Sequence, residues 1–538
     1  MAPDIEARKA DTEAHEMATN VKKEPEYLDF VQEATDSEHQ MSLLQALQLY
    51  PKAAGWSVAL SACLIMEGYD KSLLGSLYAF PAFKRQFGME MPDGTYQVTA
   101  PWQAGLSNGA QVGSIIGLLG SGTLAERFGY RIVIMGSLVA MIAFIFLMFF
   151  AVNIEMLQAA YILVGIPWGV FQTITTTYAA EVCPTILRPY LTTFVNLCWV
   201  IGQLTAAGVL RAFVGDAGQW AWRIPYAIQW AYPVPILIAV YLAPESPWWL
   251  VRKGRLDDAE KSLQRLTSRK MQEVARFDPR KTVAMMVHTN EIEKAQVAGT
   301  SYMDCFRGVN LRRTEITCAV WAAQALCGNV FMIYSSYFYQ LAGLPTEHAF
   351  SMTVGQYGMA FVGTLLSWVC IVYFGRRTLY ATGLFTLFAI LLIIGIISVT
   401  PASAGSSWGT ASLVLVYTFT YDLFIGPICY SLVAEMPSTR LRPKTVVLAR
   451  ATFNICGIID AVLMPYMLNP TAWNWGGKAG FFWAGSCLMC AVYMYLRLPE
   501  PRGKTYGELD VLFEQKVGAR KFGKAKVNPV SGSVEISE

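Results

Sequence analysis

An internal repeat is the feature that most constrains the fold of this chain. The segment EVCPTILRP, which begins at Glu181, returns as EMPSTRLRP, which begins at Glu435. Two shorter motifs return in the same order: FGYR, ending at Arg131, is repeated as FGRR, ending at Arg377, and PES is repeated as PEP. Long apolar stretches separate the motifs in both copies. This pattern predicts two related halves, each built from the same set of helices.

The composition places those helices in a membrane. Hydrophobic residues make up 54% of the chain and charged residues only 15%, whereas an ordinary soluble domain carries about 25% charged residues. The sequence therefore predicts an all-α membrane protein with twelve spans, arranged as two pseudo-symmetric six-helix bundles joined by a helical linker. Each predicted span has roughly the length of 20 residues that crosses a bilayer. The spans are predicted at about 55–80, 103–122, 131–151, 155–182, 190–212, 223–243, 316–340, 350–373, 379–399, 409–434, 446–468 and 478–497.

The loops predict how the chain is oriented. Basic residues concentrate in the loops on the side of the amino-terminal tail, and the positive-inside rule makes that side cytosolic. An even number of spans returns the chain to the side where it began, so both tails are predicted to be cytosolic. No apolar segment follows Met1 closely, so no cleaved signal peptide is expected. The predicted parts are a tail over 1–52, a first bundle over 53–243, linker helices over 244–315, a second bundle over 316–498 and a tail over 499–538.

Several motifs resemble those of a known family. GTLAERFGYR at 122–131, YFGRR at 373–377, PESPWWLV at 244–251 and PEPRGKTYGELD at 499–510 are similar to the sugar porter family of the major facilitator superfamily. MEGYDKSLLGS at 66–76 and the segments GIPWGVFQT, LCGNVFMIYSSYFYQLAGL and PYMLNPTAWNWGGKAGFF look like the fungal α-glucoside, or maltose, permeases. The resemblance implies a plasma-membrane carrier of two rocking bundles with a central sugar site, usually driven by proton symport.

Charged residues recur where the spans meet the cytosol. Arginines at such helix ends can bond terminal carbonyls and the carboxylates of neighbouring helices. We predict a network that joins the two bundles and holds one access state. Its members are Glu126, Arg127, Arg131, Glu181, Arg188, Glu245, Arg376, Arg377, Glu435, Arg442 and Glu500. The alternative is that these arginines only determine topology.

Carboxylates inside the first span are the candidates for proton coupling. A charge within the hydrocarbon is costly and usually faces a cavity. Glu67 and Asp70 lie three positions apart on one helix face, and Asp70 matches the aspartate of the family's GYD motif. Paired carboxylates in a low-dielectric site can bind and release protons near neutral pH, so Asp70 is the first candidate. The alternative for both residues is a carboxylate solvated by the outer vestibule.

The cation expected beside Asp70 is missing from its usual position. The resemblance implies an arginine in the fourth span, but Tyr161 stands there. Arg450, in the eleventh span, is the predicted replacement, and we expect it to pair with Glu67 or Asp70. Otherwise Arg450 extends to the cytosolic interface. Gln111 also stands where a glutamate is expected in yeast α-glucoside permeases, so facilitated diffusion is retained beside proton symport.

The resemblance also implies a set of sugar-binding residues. Sugar hydroxyls need amide and hydroxyl partners, and the C–H faces of the ring need aromatic surfaces. Tyr430 and Asn454 replace two tryptophans of the family, which suits a longer ligand of disaccharide size. Alternatively, each polar residue bonds a neighbouring helix. The predicted set is Gln203, Gln324, Asn329, Tyr334, Tyr430 and Asn454.

These observations favour a transporter over other classes of protein. Basic residues cluster near span ends and form no face for nucleic acid, and the sequence has no catalytic, metal-binding or cofactor-binding motif. The predicted partners are a small sugar, protons and the lipid bilayer. The predicted function is proton-coupled uptake of α-glucosides such as maltose. The alternatives are a facilitative carrier of monosaccharides or polyols, and a sugar sensor, which the short tail after Gly503 argues against.

Overall fold

The structure is a computed structural model. It describes residues 30, 32–33, 37, 41–92, 94–184, 186–216, 218–274, 277–297, 301–401, 403–438, 441–502, 504, 506–523, 525–527 and 534–536. Helices dominate it, and two short antiparallel hairpins complete the described part of the chain. The hairpins pair β1 (Met89–Glu90) with β2 (Tyr96–Gln97) and β3 (Ala525–Val527) with β4 (Val534–Ile536).

The helices fall into two groups separated by a linker. The first group contains α1 (Leu43–Leu49), α2 (Pro51–Ser61), α3 (Cys63–Leu77), α4 (Pro81–Phe87), α5 (Ala100–Phe128), α6 (Tyr130–Phe149), α7 (Ile154–Val182), α8 (Arg188–Phe213), α9 (Trp220–Ile228) and α10 (Pro233–Leu242). The linker contains α11 (Pro247–Arg252), α12 (Leu256–Leu266), α13 (Arg269–Val274) and α14 (Pro279–Val297). The second group contains α15 (Gly308–Leu326), α16 (Val330–Ile333), α17 (Ser335–Leu341), α18 (Thr346–Tyr373), α19 (Arg376–Ile397), α20 (Ala404–Phe424), α21 (Gly426–Glu435), α22 (Arg442–Leu468) and α23 (Ala479–Arg497), and the tail adds α24 (Tyr506–Glu514).

Twelve spans can be traced through these helices. Within the described residues, ten segments are long and apolar enough to cross a membrane, and α2 with α3, which bend away from α1 by 85°, bring the number to eleven. The twelfth is α5, which has 29 residues but is rich in glycine and serine. The predicted architecture of two six-helix bundles is confirmed. The seventh span begins at Gly308, within the stretch assigned to the linker from sequence, because its first turns are polar.

Glycines explain how the polar helix α5 is accommodated. A Cβ atom added at Gly113 or Gly117 would overlap the carbonyl oxygens of Ile162 and Ile166 on α7. Small residues allow such close approach of two helices in a membrane, where packing replaces the hydrophobic effect as the driving force. The helix α5 also contacts α22 of the second half. Its buried glycines and serines therefore pack against neighbours on two sides, whereas apolar residues such as Ile116 and Leu119 remain exposed, and its low hydropathy is tolerated.

The two halves are joined directly at the end remote from the linker. The hydroxyls of Ser76 and Ser336 lie 3.1 Å apart, and the Gln340 amide donates to the Ala79 carbonyl at 3.0 Å. A Cβ atom added at Gly75 would overlap the Ile333 carbonyl oxygen, so the backbones themselves are in contact there. We call this the far end. Because side chains and backbone of both halves meet in it, the far end is closed.

Two spans of the second half are broken midway. The seventh is divided into α15, α16 and α17, and the first break contains Gly328, whose φ of +94° is readily adopted only by glycine. The tenth is divided at Ile425 between α20 and α21. Irregular backbone at membrane depth is tolerated where it lines a cavity. Both breaks do lie beside a cavity, and the sequence predicted both spans as continuous.

Candidate functional site

A cavity lies between the two halves, midway along the spans. Its volume is about 160 Å³. Its wall combines amides, aromatic rings and charged side chains, a mixture typical of sites for small polar ligands. The lining residues that matter below are Lys71, Ser107, Gln111, Trp168, Asn196, Trp199, Gln203, Trp321, Gln324, Asn329, Tyr334, Tyr421, Asp422, Tyr430, Arg450 and Asp460.

Most of the residues predicted to bind sugar line this cavity. The Oε1 atom of Gln324 is buried and has no hydrogen-bond partner among the described residues. The Asn329 amide donates to the hydroxyl of Tyr421 at 3.1 Å. Asn454 is buried but does not line the cavity, which leaves it apart from the other five. The structure brings together Gln203, Gln324, Asn329, Tyr334 and Tyr430.

Aromatic rings provide flat surfaces beside these amides. The ring of Tyr334 stacks on Tyr78 with 5.7 Å between centroids, and its hydroxyl lies 2.9 Å from the hydroxyl of Ser107. Tyr430 meets Trp321 edge to face, with 5.2 Å between centroids. Offset and edge-to-face contacts of this kind hold rings in fixed orientations. The Tyr78 and Tyr334 pair joins the two halves, so one wall of the cavity also helps to close the far end.

The first-span carboxylate Glu67 obtains its cation from its own helix. The Lys71 ammonium lies 2.8 Å from Glu67 Oε1, one helical turn away. The Gln172 amide donates to the same oxygen, and the Oε1 atom of Gln172 accepts from Arg450 at 2.7 Å. The expected direct pairing of Arg450 with Glu67 or Asp70 is therefore not formed among the described residues. Gln172 stands between the two charges because it projects from α7 between the first and eleventh spans.

Asp70 lies behind the cavity wall, in a separate polar cluster. Its side chain is fully buried, and Gln229 donates to its Oδ1 atom at 3.1 Å. Asp70 Oδ2 has no hydrogen-bond partner among the described residues, and the hydroxyl of the nearby Tyr161 lies 3.0 Å from the hydroxyl of Tyr226. The position where the resemblance implies an arginine is thus next to Asp70, but a neutral hydroxyl occupies it. Gln111, by contrast, lines the cavity itself.

Charged residues at the linker end of the first half form one cluster. Glu245 accepts hydrogen bonds from the backbone N–H groups of Tyr130 and Arg131, both at 3.2 Å, at the start of α6. An anion in this position interacts favourably with the helix dipole. Burial raises the pKa of Glu245 above its ordinary value of 4.5, and these N–H groups oppose the rise. Glu181 accepts from Arg252 at 2.7 Å and from the Tyr130 hydroxyl at 2.9 Å.

A matching cluster lies at the linker end of the second half. Glu500 accepts from the backbone N–H groups of Arg376 and Arg377 at 2.9 and 3.1 Å, at the start of α19. The Arg376 guanidinium lies 3.4 Å from Glu435, and Arg377 donates to the Tyr495 carbonyl at 2.9 Å. The sequence repeat is therefore also a structural repeat. In each half, a carboxylate that follows the last span accepts hydrogen bonds from the backbone at the start of the third span.

These contacts differ from the predicted link between the bundles. Glu245, Glu435 and Glu500 each bond helix starts or arginines of the adjoining half, and Glu181 bonds Tyr130 of its own half and Arg252 of the linker. Arg188 likewise donates to the Cys183 carbonyl at 3.3 Å. The other members are placed at helix ends of the same side: the Glu126 carbonyl accepts from Trp249, the Arg127 guanidinium lies over Phe128, Arg131 donates to the Tyr241 carbonyl, and Arg442 begins α22.

Several cavity residues were missed from the sequence. Lys71, Asp422 and Asp460 are ionisable residues within spans, and that property alone could have singled them out, because such residues are costly unless they serve a function. Gln172 gave no such signal, since a single amide in a span usually serves helix packing. The structure adds these four residues to the candidate site.

Comparison with known proteins gives a consistent result. The family of sugar (and other) transporters matches residues 56–513. An alpha-glucosides permease of Saccharomyces cerevisiae is 43% identical over 502 residues, which cover 92% of this chain and 83% of the permease. A maltose permease of the same organism is 40% identical over 519 residues, covering 94% and 83%. The general alpha-glucoside permease is 41% identical over 515 residues, covering 95% and 83%.

Solved structures with the same fold are also found. The xylose transporter XylE from E. coli, in a partially occluded inward open conformation, has a TM-score of 0.68 at 19% identity, covering 85% of this chain and 99% of that one. XylE, described as a proton:xylose symporter of the major facilitator superfamily and bound to 6-bromo-6-deoxy-D-glucose, gives 0.68 at 21% identity, covering 86% and 99%. At this identity the likeness shows the fold. The repeated motifs, the twelve spans and these similarities together show that the chain belongs to the sugar transporter family of the major facilitator superfamily.

Proposed function

We propose that this protein carries α-glucoside disaccharides such as maltose across the plasma membrane together with protons. The observation that supports this most is the 40 to 43% identity, over more than nine-tenths of the chain, to permeases named for α-glucosides and maltose. At such identity the residues around a central site are expected to keep their positions. Both tails are proposed to be cytosolic, in agreement with the basic loops.

The cavity supports a sugar as the ligand. Gln203 and Gln324 project amides from opposite halves into one space, and the unpartnered oxygen of Gln324 is ready to accept a hydroxyl hydrogen. Trp199 and Tyr430 add aromatic surface for the apolar faces of sugar rings. Because both halves contribute, a bound sugar would bridge them. Binding and rearrangement of the halves would then be coupled, as alternating access requires.

Two carboxylate clusters support proton coupling. Asp70 is fully buried, and its hydrogen-bond partner among the described residues is the neutral amide of Gln229. A buried carboxylate without a cation is strongly disfavoured in its ionised form. Asp70 therefore binds a proton in this conformation and releases it where water reaches it. Glu67, which pairs with Lys71 on the same span, is proposed to influence proton binding there.

The conformation supports alternating access. With both tails in the cytosol, the closed far end faces the outside of the cell. The cavity in this state is sealed from the outside by Tyr78, Tyr334, Ser76 and Ser336. A second state, in which these contacts part and the linker end closes, is required for sugar to enter. The two bundles that we propose to rock against each other are residues 53–243 and residues 316–498.

A facilitative carrier is the second candidate. It is favoured by Tyr161 and Gln111, which are neutral at positions where the resemblance implies an arginine and a glutamate. Such a carrier would equilibrate sugar, and a pH gradient would not drive accumulation. A smaller substrate, a monosaccharide or a polyol, belongs to the same candidate.

Uptake of labelled sugars tests the substrate. The protein is expressed in yeast cells that lack endogenous maltose and glucose carriers, and uptake of labelled maltose, trehalose and glucose is measured. We expect maltose uptake to exceed glucose uptake by about tenfold or more. A double Gln203→Ala and Gln324→Ala variant should lose this uptake, whereas the matched change Gln86→Ala, in an exposed position near the far end, should retain it. Preferential glucose uptake would contradict an α-glucoside substrate, and no uptake of any sugar by well-localised protein would indicate a sensor.

A further inference from the structure

A carboxylate on the second half has surroundings that neither the family motifs nor the first-span carboxylates explain. Asp422 lies near the end of α20, just before the break of the tenth span at Ile425. It lines the central cavity and is only 3% exposed. Gly363, on α18, leaves room for it, since a Cβ atom added there would lie 3.4 Å from the Asp422 Cβ atom. The side chain is therefore held in a fitted position at the inner surface of the second half.

The partner of Asp422 comes from the opposite half. Asn196, on α8, donates to Asp422 Oδ1 at 3.3 Å, and the Thr364 hydroxyl lies 3.5 Å from the same oxygen. The second oxygen, Oδ2, is buried and has no hydrogen-bond partner among the described residues. The bond to Asn196 crosses the interface of α8 with the second half. It therefore exists only while the two halves are close together at this depth.

No cation faces this carboxylate in the described part of the chain. The titratable groups near it are two tyrosines, Tyr421 on its own helix and Tyr357 on α18. Lys71 is paired with Glu67, and Arg450 is bonded to Gln172. An ionised carboxylate that is buried without a cation is strongly disfavoured. In this conformation the surroundings of Asp422 favour a neutral carboxyl group, with its proton on the unpartnered Oδ2.

We propose that Asp422 is a second proton-binding carboxyl group of the transport cycle, and that its bond to Asn196 links proton binding to closure of the two halves. The proposal depends on the proposed proton-coupled sugar transport. When the halves separate, Asp422 loses Asn196 and meets water, and the O–H bond breaks as the proton passes to a water molecule. When Asp422 takes a proton from water on the other side, it becomes neutral and can be buried again. One proton is bound and one is released in each cycle.

The linkage follows from thermodynamics. If closure favours the protonated form, protonation must favour closure by the same free energy. Ionised Asp422 therefore keeps the halves apart, whereas protonated Asp422 lets them close around the sugar. Asp70, whose hydrogen-bond partner among the described residues is Gln229 of the same half, does not carry this link across the interface.

Proteoliposomes containing the full chain and its Asp422→Asn variant test the proposal. Three quantities are measured: exchange of labelled maltose across the membrane at equal pH, accumulation of maltose driven by a pH gradient, and the number of protons moved per sugar. We expect Asp422→Asn to lower exchange less than it lowers the other two quantities, because the amide preserves size and a hydrogen-bonding group but cannot bind and release the proton. Gradient-driven accumulation and the ratio of protons to sugar should both fall. Asp216→Asn, which makes the same change on an exposed loop, should leave all three quantities unchanged.

A second variant keeps the test decisive if Asp422→Asn is unstable. Asn196→Ala leaves the carboxyl group in place but removes its partner in the other half. We expect the ratio of protons to sugar to be kept and the pH at which exchange is half-maximal to shift. An unchanged proton ratio in Asp422→Asn, or an effect on the KM for maltose alone, would overturn the proposal, as would an unshifted pH profile in Asn196→Ala. If the unmodified protein moves no protons with maltose, the proposed function itself fails, which is a distinguishable result.

Discussion

Arg450 and Glu67, which lie in opposite halves, are joined through the single side-chain amide of Gln172. The amide accepts from Arg450 at 2.7 Å and donates to Glu67 Oε1, which also binds Lys71. A glutamine can do this because its amide carries both an acceptor and a donor. The interface between the halves thus contains a polar path in which two cations share one carboxylate. The balance of charge at the cavity depends on that amide.

Gln172→Leu should therefore impair transport strongly. It leaves the buried Glu67 and the partly buried Arg450 without their shared partner, and hydrogen bonds to charged groups contribute about 1.5–3 kcal/mol each. We expect the rate of maltose uptake to fall by about tenfold or more. Gln158→Leu is the matched control, because Gln158 is on the same helix and its amide bonds, within the described part of the chain, the Gly105 carbonyl of its own half. Equal losses in both variants would show that Gln172 serves packing alone.

The two glutamines of the cavity should act on affinity. A neutral hydrogen bond contributes about 0.5–1.5 kcal/mol, so Gln203→Ala and Gln324→Ala are each expected to raise the Kd for maltose by roughly 2- to 10-fold. Binding of maltose to the purified protein, followed by calorimetry, is the direct measurement. An unchanged affinity in both variants would show that the sugar binds elsewhere.

The sequence predicted the spans well because nearly all of them are long apolar stretches, α5 being the exception, and apolar length depends on composition alone. The repeat also predicted matching roles for Glu245 and Glu500, although not that both bonds stay within a half. Tyr161 could be placed beside Asp70 only through the family resemblance. Lys71 could have been found, since it lies one helical turn from Glu67 on the same span, but Gln172 could not be assigned, because its role depends on which helices face each other across the interface. The breaks at Gly328 and Ile425 were missed for a related reason, since the segments around them are as apolar as any unbroken span.

Glu245 should give the first bundle a characteristic pH dependence. Burial raises the pKa of its folded-state carboxyl group above 4.5, so the folded protein binds the proton more tightly than the unfolded chain does. The resulting stability is fully present below the unfolded pKa and is lost as pH rises through the folded pKa. Lowering the pH from 7 towards 5 should therefore stabilise the unmodified protein relative to Glu245→Gln, which cannot titrate. Thermal unfolding in detergent at both pH values gives the Tm of the unmodified protein minus that of Glu245→Gln. A value that stays constant or falls on acidification would contradict this prediction.

Removing the carboxylate at either helix start, that of Glu245 or that of Glu500, should lower the stability of the folded protein. Loss of an acceptor at a helix start typically costs about 0.5–2 kcal/mol. Glu245→Ala and Glu500→Ala, which are equivalent by the repeat, should therefore lower Tm by similar amounts. Glu260→Ala, on the surface helix α12, provides a control. A large loss for only one of the two would show that the clusters are not equivalent.

A disulfide across the closed far end should trap the protein in this conformation. The Ser76 and Ser336 hydroxyl oxygens lie 3.1 Å apart across the two halves, so cysteines in both positions are close enough to form a disulfide after modest adjustment. We expect the Ser76→Cys and Ser336→Cys double variant to lose maltose uptake under oxidising conditions and to regain it on reduction. Each single variant controls for the native cysteines. Uptake that persists in the fully cross-linked protein would show that these contacts need not part during transport.

Accumulation of maltose against its gradient tests the central claim most directly. Proteoliposomes containing the purified protein are given an inward proton gradient, and internal labelled maltose is followed over time. The account predicts that maltose rises above its external concentration and falls back to equality when a protonophore is added. Maltose that only equilibrates, at the same level with and without the gradient, would contradict it.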